Sequence, residues 1–290
     1  MRLKLFVIIS STIALACAAI FVTFNAHGQS LSAKSGPPSA YLGFDRDLYP
    51  GDGAFSTLRK TFSFTSYWLG PPPGEKHTTW IAKRDFLRKA GFGFLALYTG
   101  RDSRKFKGPE DATAKGNQDA QRAIAAAKKE GFPAGTIIFL DIEEGGRLPP
   151  AYYAYLHTWA DLLKRNGYRA GVYCSGMPAS EPGGVTIRTA DDIRANAAGR
   201  DFVFFVYNDA CPPSPGCVFS ARAPAPATSG VSYARVWQFA QSPRRKEFAA
   251  YCPPGYNPNG NCYSPNDASL AWDLDVDTAT TPDPSNSNRP

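Results

Sequence analysis

The chain has 290 residues, of which 43% are hydrophobic and 20% are charged, and its formal net charge is +7. This composition is typical of a folded globular protein and excludes an intrinsically disordered or fibrous chain. The sequence contains no basic run with interleaved aromatic residues, so nucleic-acid binding is not predicted. The mild positive charge suits an anionic cell surface as well as it suits simple solubility.

The N-terminal segment has the pattern of an export signal. Two basic residues precede a long apolar run, and the triplet "AHG" at 26–28 provides a small-x-small cleavage site. Residues 1–28 are therefore predicted to be a secretory signal peptide, with an uncleaved membrane anchor as the alternative. Contact with a membrane is expected only in that alternative. We expect a protein that is secreted or retained in the periplasm or cell envelope, in which the Ser-, Gly- and Pro-rich residues 29–39 form a linker.

The region after the linker alternates between strand and helix patterns. Candidate strands are 41–47, 62–67, 92–98, 136–142, 168–174, 202–207, 234–239 and 272–277. The helical segments 78–91, 117–131 and 152–167 carry apolar residues at helical spacing, and each stops at a glycine. Strands separated by such helices indicate βα units and a parallel sheet.

The last third of the chain lacks this alternation. Pro- and Cys-rich loops stand between the strands there, without good helices. The sequence therefore predicts an α/β fold, a distorted TIM-like (β/α) barrel over residues 40–278 whose later strands lack full helices. A doubly wound sheet fits less well, because no glycine-rich loop follows the first strand. Residues 279–290 are predicted to be a disordered tail.

Cysteine and histidine positions set further expectations. Cys211 with Cys217, and Cys252 with Cys262, bracket irregular loops and are predicted to form two local disulfides in an oxidising compartment. Cys174 lies in an apolar segment and is interpreted as a buried thiol. The three histidines show no metal-ligand spacing, so neither a metal site nor a cofactor is predicted.

The segment "TIIFLDIEEGG" at 136–146 places acidic residues at the end of a hydrophobic strand. Side chains alternate along a strand, so Asp141 and Glu143 share one face. That end of a barrel strand is where active sites are built. Glu144 points elsewhere and is interpreted as a rim residue.

The first and last strands repeat this pattern. "YLGFDRD" places Asp45 near the barrel mouth, and "WDLDVD" places Asp275 on one face of the last strand. If the barrel closes, these strands are neighbours, and Asp275 can join Asp45 in the same cleft. The remaining acids of the two segments are interpreted as salt-bridge residues, namely Asp47, Asp273 and Asp277.

Crowded carboxylates suit the cleavage of glycosidic bonds. One group must keep its proton to protonate the leaving oxygen, and a second must stay ionised. Glu143 is predicted to be the acid, with Asp141 and Asp45 as its ionised partners, since like charges raise one pKa. The alternative is a structural network of salt bridges, for which the sequence offers Arg46, Arg101 and Arg147.

Aromatic residues lie at or near the carboxyl ends of several predicted strands. They are Tyr98, Tyr173, Tyr207 and Trp237. Sugars have flat apolar faces that stack on aromatic rings, so these four residues are predicted to bind substrate. Their shared position supports this more strongly than any one of them does.

Six motifs, taken together and in order, resemble the glycoside hydrolase-like domain called domain of unknown function family 1906. They are "YLGFDRD", "LALYTGR", "NQDAQRAIAAAKKEGFPAGTIIFLDIE", "YRAGVYCSG", "VWQFAQ" and "DLDVD". That family is similar to the glycoside hydrolase family 25 lysozymes. The resemblance spans about residues 40–278 and implies a distorted α/β barrel with muramidase-like chemistry. It also implies that Asp45, Asp141 and Glu143 line the cleft.

The resemblance adds further positions. It matches Gln238 to a binding residue of the seventh strand, next to Trp237, and Tyr173 to the aromatic residue of a "YxS" pattern. The lysozymes carry another acid at the end of the sixth strand, where this chain offers Asn208 or Asp209.

Two functions stay open on the sequence alone. One is a secreted hydrolase of peptidoglycan glycan strands, and the other is a catalytically weak or inactive glycan-binding protein of the cell envelope. Either function has a polysaccharide as its partner.

Overall fold

The computed structural model describes residues 40–208, 223–241 and 274–286. The strands are β1 Tyr41–Asp45, β2 Phe64–Trp68, β3 Gly93–Thr99, β4 Ile137–Asp141, β5 Arg169–Ser175, β6 Ala179–Ser180, β7 Thr186–Ile187, β8 Val203–Tyr207, β9 Val236–Ala240 and β10 Asp275–Ala279. The helices are α1 Phe55–Leu58, α2 Arg84–Lys89, α3 Pro109–Lys129, α4 Pro150–Arg165 and α5 Thr189–Ala195.

Eight of these strands close into a barrel in the order β1-β10-β9-β8-β5-β4-β3-β2. Each of the eight predicted strands overlaps one barrel strand, so the predicted distorted TIM-like barrel is confirmed. One feature differs from the parallel sheet that was expected, because β10 runs antiparallel to both β1 and β9. An antiparallel neighbour needs no crossover helix, which agrees with the absence of a helical pattern before this strand.

Aromatic rings fill the barrel interior below its carboxyl end. The rings of Phe139 and Phe205 meet edge to face, with centroids 6.1 Å apart. Glycines on neighbouring strands make the room for such rings: a Cβ on Gly171 would lie 2.3 Å from the Phe139 ring, and one on Gly43 would lie 2.1 Å from the Phe64 ring. Close packing of this kind makes a solid floor, so no open channel runs through the barrel past these rings.

Two helices begin at other residues than predicted, and a local feature of the chain explains each difference. α3 begins earlier than predicted because Pro109 and two acids occupy its first turn. α2 is shorter than predicted because Ala82 has a positive φ of 65°, which a helix excludes. The predicted glycine stops are present, with Gly91 and Gly131 both in the left-handed region.

The predicted disorder of the tail 279–290 is wrong for the part that the structure describes. The backbone N–H of Ser285 donates to the Phe94 oxygen (2.9 Å), and its own oxygen accepts from Ile137 (2.8 Å). Its Oγ also accepts from the Ala96 N–H (2.8 Å). Short polar side chains in a sequence usually indicate a solvent-exposed segment. In this tail, Ser285 instead forms hydrogen bonds with backbone groups at the ends of strands. The tail therefore closes the amino-terminal end of β3 and β4.

Several predictions concern residues outside the described ranges. These are the signal peptide 1–28, the linker 29–39, the acids Asp209 and Asp273, and the cysteines Cys211, Cys217, Cys252 and Cys262. Cys174 is buried and free, as expected. Among the described residues, no helix is long and apolar enough to cross a membrane.

Deletion of residues 281–290 is expected to lower the free energy of unfolding by about 2–4 kcal/mol, because hydrogen bonds worth about 1 kcal/mol each are lost. Thermal unfolding followed by circular dichroism measures the change. Deletion of residues 287–290 alone is the control and is expected to leave the midpoint unchanged. Equal midpoints for the long deletion and the intact chain would contradict the structural role of the tail.

Candidate active site

A cavity of about 230 Å³ opens at the carboxyl ends of the barrel strands. It is lined by Asp45, Asp47, Trp68, Pro73, Leu97, Asp141, Glu143, Tyr173, Phe205, Gln238, Gln241 and Asp275. The three predicted catalytic acids therefore lie in one cavity, together with three of the predicted substrate contacts. This end of the barrel is the usual location of active sites in this architecture.

Asp45 is held by a chain of hydrogen bonds across the barrel. Gln238 Nε2 donates to Asp45 Oδ2 (2.7 Å), and Gln238 Oε1 accepts from the Tyr173 hydroxyl (2.9 Å). Burial and the nearby carboxyl charges raise the pKa of Tyr173, which keeps its hydroxyl a donor. The tyrosine therefore fixes the amide of Gln238 with its nitrogen toward Asp45.

A second carboxyl group lies beneath Asp45. Asp277 on β10 is fully buried, and neither of its oxygens receives a hydrogen bond from a donor in the described part of the chain. Burial raises the pKa of Asp277 well above its usual range, and so do the charges of Asp45 and Asp275 and a hydrogen bond to Asp45. Protonated Asp277 thus donates to Asp45. Burial also raises the pKa of Asp45 to about 7, against the opposing hydrogen bond from Gln238.

Asp141 and Glu143 form a similar pair, at the end of β4 and in the segment after it. Asp141 is only 4% exposed, whereas Glu143 is exposed at the mouth of the cavity. Burial raises the pKa of Asp141 well above its usual range, and the charge of Glu143 and a hydrogen bond to it add to this effect. Neither Asp141 oxygen has a donor among the described residues. A proton on Asp141 itself, shared with Glu143, is therefore the arrangement that satisfies this group.

This protonation differs from the one that the sequence suggested. Asp45 and Asp141 were expected to be the ionised partners, but burial favours the neutral form of both. Alternation along the strand correctly gave the direction of these side chains, but depth in the barrel decides which of them keep protons.

The alternative of a salt-bridge network is not what the structure contains. Arg101 binds Asp119 (2.6 Å), and Arg147 pairs with Asp192 (3.4 Å), away from the cavity. In the described ranges, no salt bridge joins Asp45, Asp141 or Glu143 to a basic residue. These three carboxyl groups are therefore not tied up in ion pairs with described basic residues.

Asp47 was interpreted as a salt-bridge residue, yet it lines the cavity. Two indoles hold the chain after β1, since Trp68 Nε1 donates to the Arg46 oxygen (3.1 Å) and Trp80 Nε1 to the Asp47 oxygen (2.9 Å). Burial raises the pKa of Asp47 above its usual range, and the charge of Glu143 adds to this effect. The signal was present in the sequence, because Asp47 continues the Asp45 face by alternation.

Asp277 was also interpreted as a salt-bridge residue, and this is wrong. The register places Asp277 opposite Gly43 and Asp275 opposite Asp45. Side chains alternate along a strand, so the carboxyl group of Asp277 turns to the same face as that of Asp275. The antiparallel direction of β10, which the sequence did not reveal, puts Asp275 at the cavity and Asp277 one layer below it.

The predicted aromatic contacts divide into two groups. Tyr173 lines the cavity, but Tyr98 packs on Trp159 in the helix layer (centroids 5.4 Å apart). Trp237 is fully buried and donates through Nε1 to the Asn208 oxygen (3.0 Å). Tyr98 follows Leu97, which faces the cavity, and strand alternation turns the tyrosine outward. The predictions for Tyr98 and Trp237 are therefore wrong.

Two further positions do not contribute to the cavity lining. Tyr207 is half-buried on β8 but is not among the lining residues. Asn208, which was offered as a substitute for a fourth acid, instead donates through Nδ2 to the Ser229 oxygen (2.5 Å). The aromatic wall that the sequence missed is Trp68. Within the described ranges, no group of three or more His, Cys, Asp or Glu residues is placed to hold a metal ion.

Residues 77–205 match the family model described as "Rv2525c-like, glycoside hydrolase-like domain". The matched segment contains Asp141, Glu143 and Tyr173, while Asp45 and Gln238 lie outside it. The resemblance to a glycoside hydrolase-like domain is thus confirmed. Comparison with curated proteins finds no match.

Solved structures give a likeness of fold. The chain is similar to an uncharacterized B. stearothermophilus protein, with 18% identity and a TM-score of 0.52 over 82% of this chain and 95% of that one. It is also similar to the Mycobacterium tuberculosis Tat-secreted protein Rv2525c, with 16% identity and a TM-score of 0.48 over 85% and 97% of the two chains. The catalytic domain of endolysin ply40 from bacteriophage P40 of Listeria monocytogenes has 14% identity and a TM-score of 0.44 over 84% and 95%. The first likeness shows the fold, and the two lower scores add nothing to it.

The burial of Asp277 predicts a pH-dependent stability. Its pKa is raised on folding, so the folded state keeps a proton that the unfolded chain has released. The stability from this group is full below about pH 4 and is lost as pH rises, by up to about 1.4 kcal/mol per pH unit. Asp277→Asn is expected to flatten the decline in unfolding free energy as pH rises above the ordinary aspartate pKa, about 4.

Urea unfolding at each pH measures this decline. Asp85→Asn is the control, because the Asp85 side chain is 76% exposed. Parallel curves for Asp277→Asn and the unchanged chain would show that Asp277 is ionised in the folded state.

Proposed function

We propose that this protein is a glycoside hydrolase, exported to cleave the glycan strands of peptidoglycan in a muramidase-type reaction. The observation that carries the proposal is the pairing of buried, proton-holding carboxyls with carboxyls nearer the cavity mouth. Hydrolysis of a glycosidic bond needs both forms of the group side by side. The glycoside hydrolase-like match over residues 77–205 supports the same reaction class.

Glu143 is the member of its pair that can reach a substrate, because it is exposed at the mouth while Asp141 is buried. The proton shared by the two carboxyls passes through Glu143 to the leaving oxygen. Asp141 thus acts as the reservoir that keeps this proton available near neutral pH. Proton donation of this kind contributes about 10²–10⁴-fold to the rate.

The opposite wall supplies the negative charge that an oxocarbenium-like transition state requires. Asp45 and Asp275 are register partners on adjacent strands, and Asp47 follows on the same face. With a pKa of about 7, Asp45 is partly ionised at neutral pH. The hydrogen bond from Gln238 favours its ionised form.

Trp68 and Tyr173 provide the aromatic surface of the cavity, and Gln241 provides an amide group for sugar hydroxyls. Gln238 lines the same cavity but its amide holds Asp45 and Tyr173. The choice of peptidoglycan rests on the likeness of the sequence motifs to the lysozymes. Export rests on the N-terminal signal pattern, and it agrees with a substrate outside the cytoplasm.

A glycan-binding role without catalysis is the second candidate. The observation in its favour is the volume of the cavity, about 230 Å³, which is below the usual range of about 300–1,000 Å³ for ligand sites. Such a protein would bind walls by the same residues but release no fragments.

Glu143→Gln is expected to reduce the release of soluble muropeptides from purified cell walls by about 10²–10⁴-fold, because the leaving oxygen is no longer protonated. Chromatography of the released fragments measures the rate. Glu144→Gln is the matched control, since Glu144 lies outside the cavity and accepts a hydrogen bond from the Ser103 N–H. A glutamine there can still accept that bond, and the control is expected to keep full activity.

Two results would count against the hydrolase. One is an unchanged chain that sediments with walls and releases no fragments, which is the outcome that the binding role predicts. The other is Glu143→Gln with full activity, which would remove Glu143 from the reaction.

Asp141→Asn is expected to move the alkaline decline of kcat/KM to lower pH, because the buried proton that Asp141 supplies is absent. A pH series of initial rates on cell walls tests this. Thermal unfolding of the variant confirms that it is folded under the same conditions. An alkaline limb that stays in place would show that Asp141 does not supply the proton.

A further inference from the structure

A second cavity lies at the opposite end of the barrel. Its volume is about 370 Å³, larger than that of the carboxylate cavity. Its wall includes the first residues of β4, β5, β8 and β9 and the segment after β10. The amino-terminal ends of the parallel strands and the carboxyl end of antiparallel β10 meet here. The two cavities are therefore separated by the packed aromatic interior of the barrel.

The lining of this second cavity is cationic. It includes three arginines, Arg169, Arg194 and Arg235, against one carboxylate, Asp201. Arg169 pairs with Asp201 at 3.4 Å. In the part of the chain that the structure describes, no ion pair joins Arg194 or Arg235 to a carboxylate. Two of the three guanidinium groups are thus available to a ligand.

One of these guanidinium groups is held in place by stacking. The Arg194 guanidinium carbon lies 4.1 Å from the centroid of the Tyr233 ring. The Tyr233 hydroxyl in turn donates to Asp191 Oδ1 (2.7 Å), and Asp191 also pairs with Arg188 (3.4 Å). Stacking fixes the plane of the guanidinium and leaves its N–H edge free to donate.

The segment after β10 completes the wall. The Thr280 N–H donates to the Arg235 backbone oxygen (3.1 Å). Thr280, Thr281 and Pro284 all line the cavity. The ordered tail therefore shapes this cavity, and its threonine side chains add neutral hydroxyl groups to the cationic wall.

We propose that this second cavity binds the phosphate group of a soluble phosphate ester, such as a phosphorylated sugar or polyol unit. The guanidinium group of arginine donates two parallel hydrogen bonds to a pair of phosphate oxygens. Two or three arginines also balance the charge of a phosphate dianion. A volume of about 370 Å³ has room for the phosphate together with a small polar group. The site is independent of the proposed hydrolysis, since it shares no lining residue with the carboxylate cavity.

A soluble ester fits this cavity better than a lipid bilayer does. A surface that inserts into a bilayer presents large exposed apolar side chains beside its basic residues. Among the described residues, the exposed large hydrophobic side chains are Leu48, Phe86 and Val185, and none of them lines this cavity.

Calorimetric titration of the purified protein with glycerol 1-phosphate and with inorganic phosphate tests the site. We expect saturable binding that weakens as salt is added. The double variant Arg194→Gln, Arg235→Gln is expected to weaken it at least about tenfold. Arg88→Gln removes one positive charge outside the cavity and is expected to leave binding unchanged. Glu143→Gln is also expected to bind normally, which separates this site from the hydrolase.

Thermal unfolding shows whether the double variant is folded. The more conservative Arg194→Lys, Arg235→Lys keeps the charge but loses the forks, and we expect an intermediate affinity. The proposal is overturned if the unchanged protein shows no saturable binding, or if Arg88→Gln weakens binding as much as the double variant. It is also overturned if phosphatidylglycerol vesicles bind through these arginines while both soluble phosphates do not.

Discussion

The carboxylate cavity depends on one interaction, a hydrogen bond from a buried, protonated aspartic acid to a carboxyl group nearer the solvent. Asp277 donates in this way to Asp45, and Asp141 donates to Glu143. Water cannot stabilise a charge at such depth, so a proton stays on the inner acid. The structure contains this arrangement twice, and in each pair the outer carboxyl group, Asp45 or Glu143, lines the cavity. That repetition makes acid and carboxylate forms available together near neutral pH.

The barrel creates this constraint through packing. Aromatic rings over Gly43 and Gly171 fill the interior from below, so the acids of three strands rest on an apolar floor. Antiparallel β10 brings its aspartates in from the mouth of the barrel toward its interior. Tyr173 and Gln238 then orient the donor that moderates the pKa of Asp45. The same closed barrel leaves a cationic cavity at its other end, completed by the ordered tail.

The sequence contains enough to predict the barrel and the meeting of Asp45, Asp141 and Glu143, because strand alternation and strand order are local properties. No local sequence pattern predicts that β10 is antiparallel to its neighbours. The position of Asp277 below the cavity depends on that direction, so its role could not be predicted. Tyr98 and Trp237 both lie near the end of a strand, but their side chains do not reach the cavity. Position along a strand predicts a cavity contact only when the side chain is also on the inner face. Protonation was misassigned for Asp141 because burial depth is a tertiary property. The tail was misjudged because its partners are strand ends far away in the chain.

In the folded protein, the two inner aspartic acids Asp141 and Asp277 keep their protons. Carbon-13 NMR titration of the side-chain carboxyl groups, assigned with Asp277→Asn and Asp141→Asn, measures this most directly. We expect Asp141 and Asp277 to keep their protons well above the ordinary aspartate pKa, and Asp45 to titrate with a pKa of about 7. Titration of all three groups near the ordinary aspartate value, about 4, would contradict it.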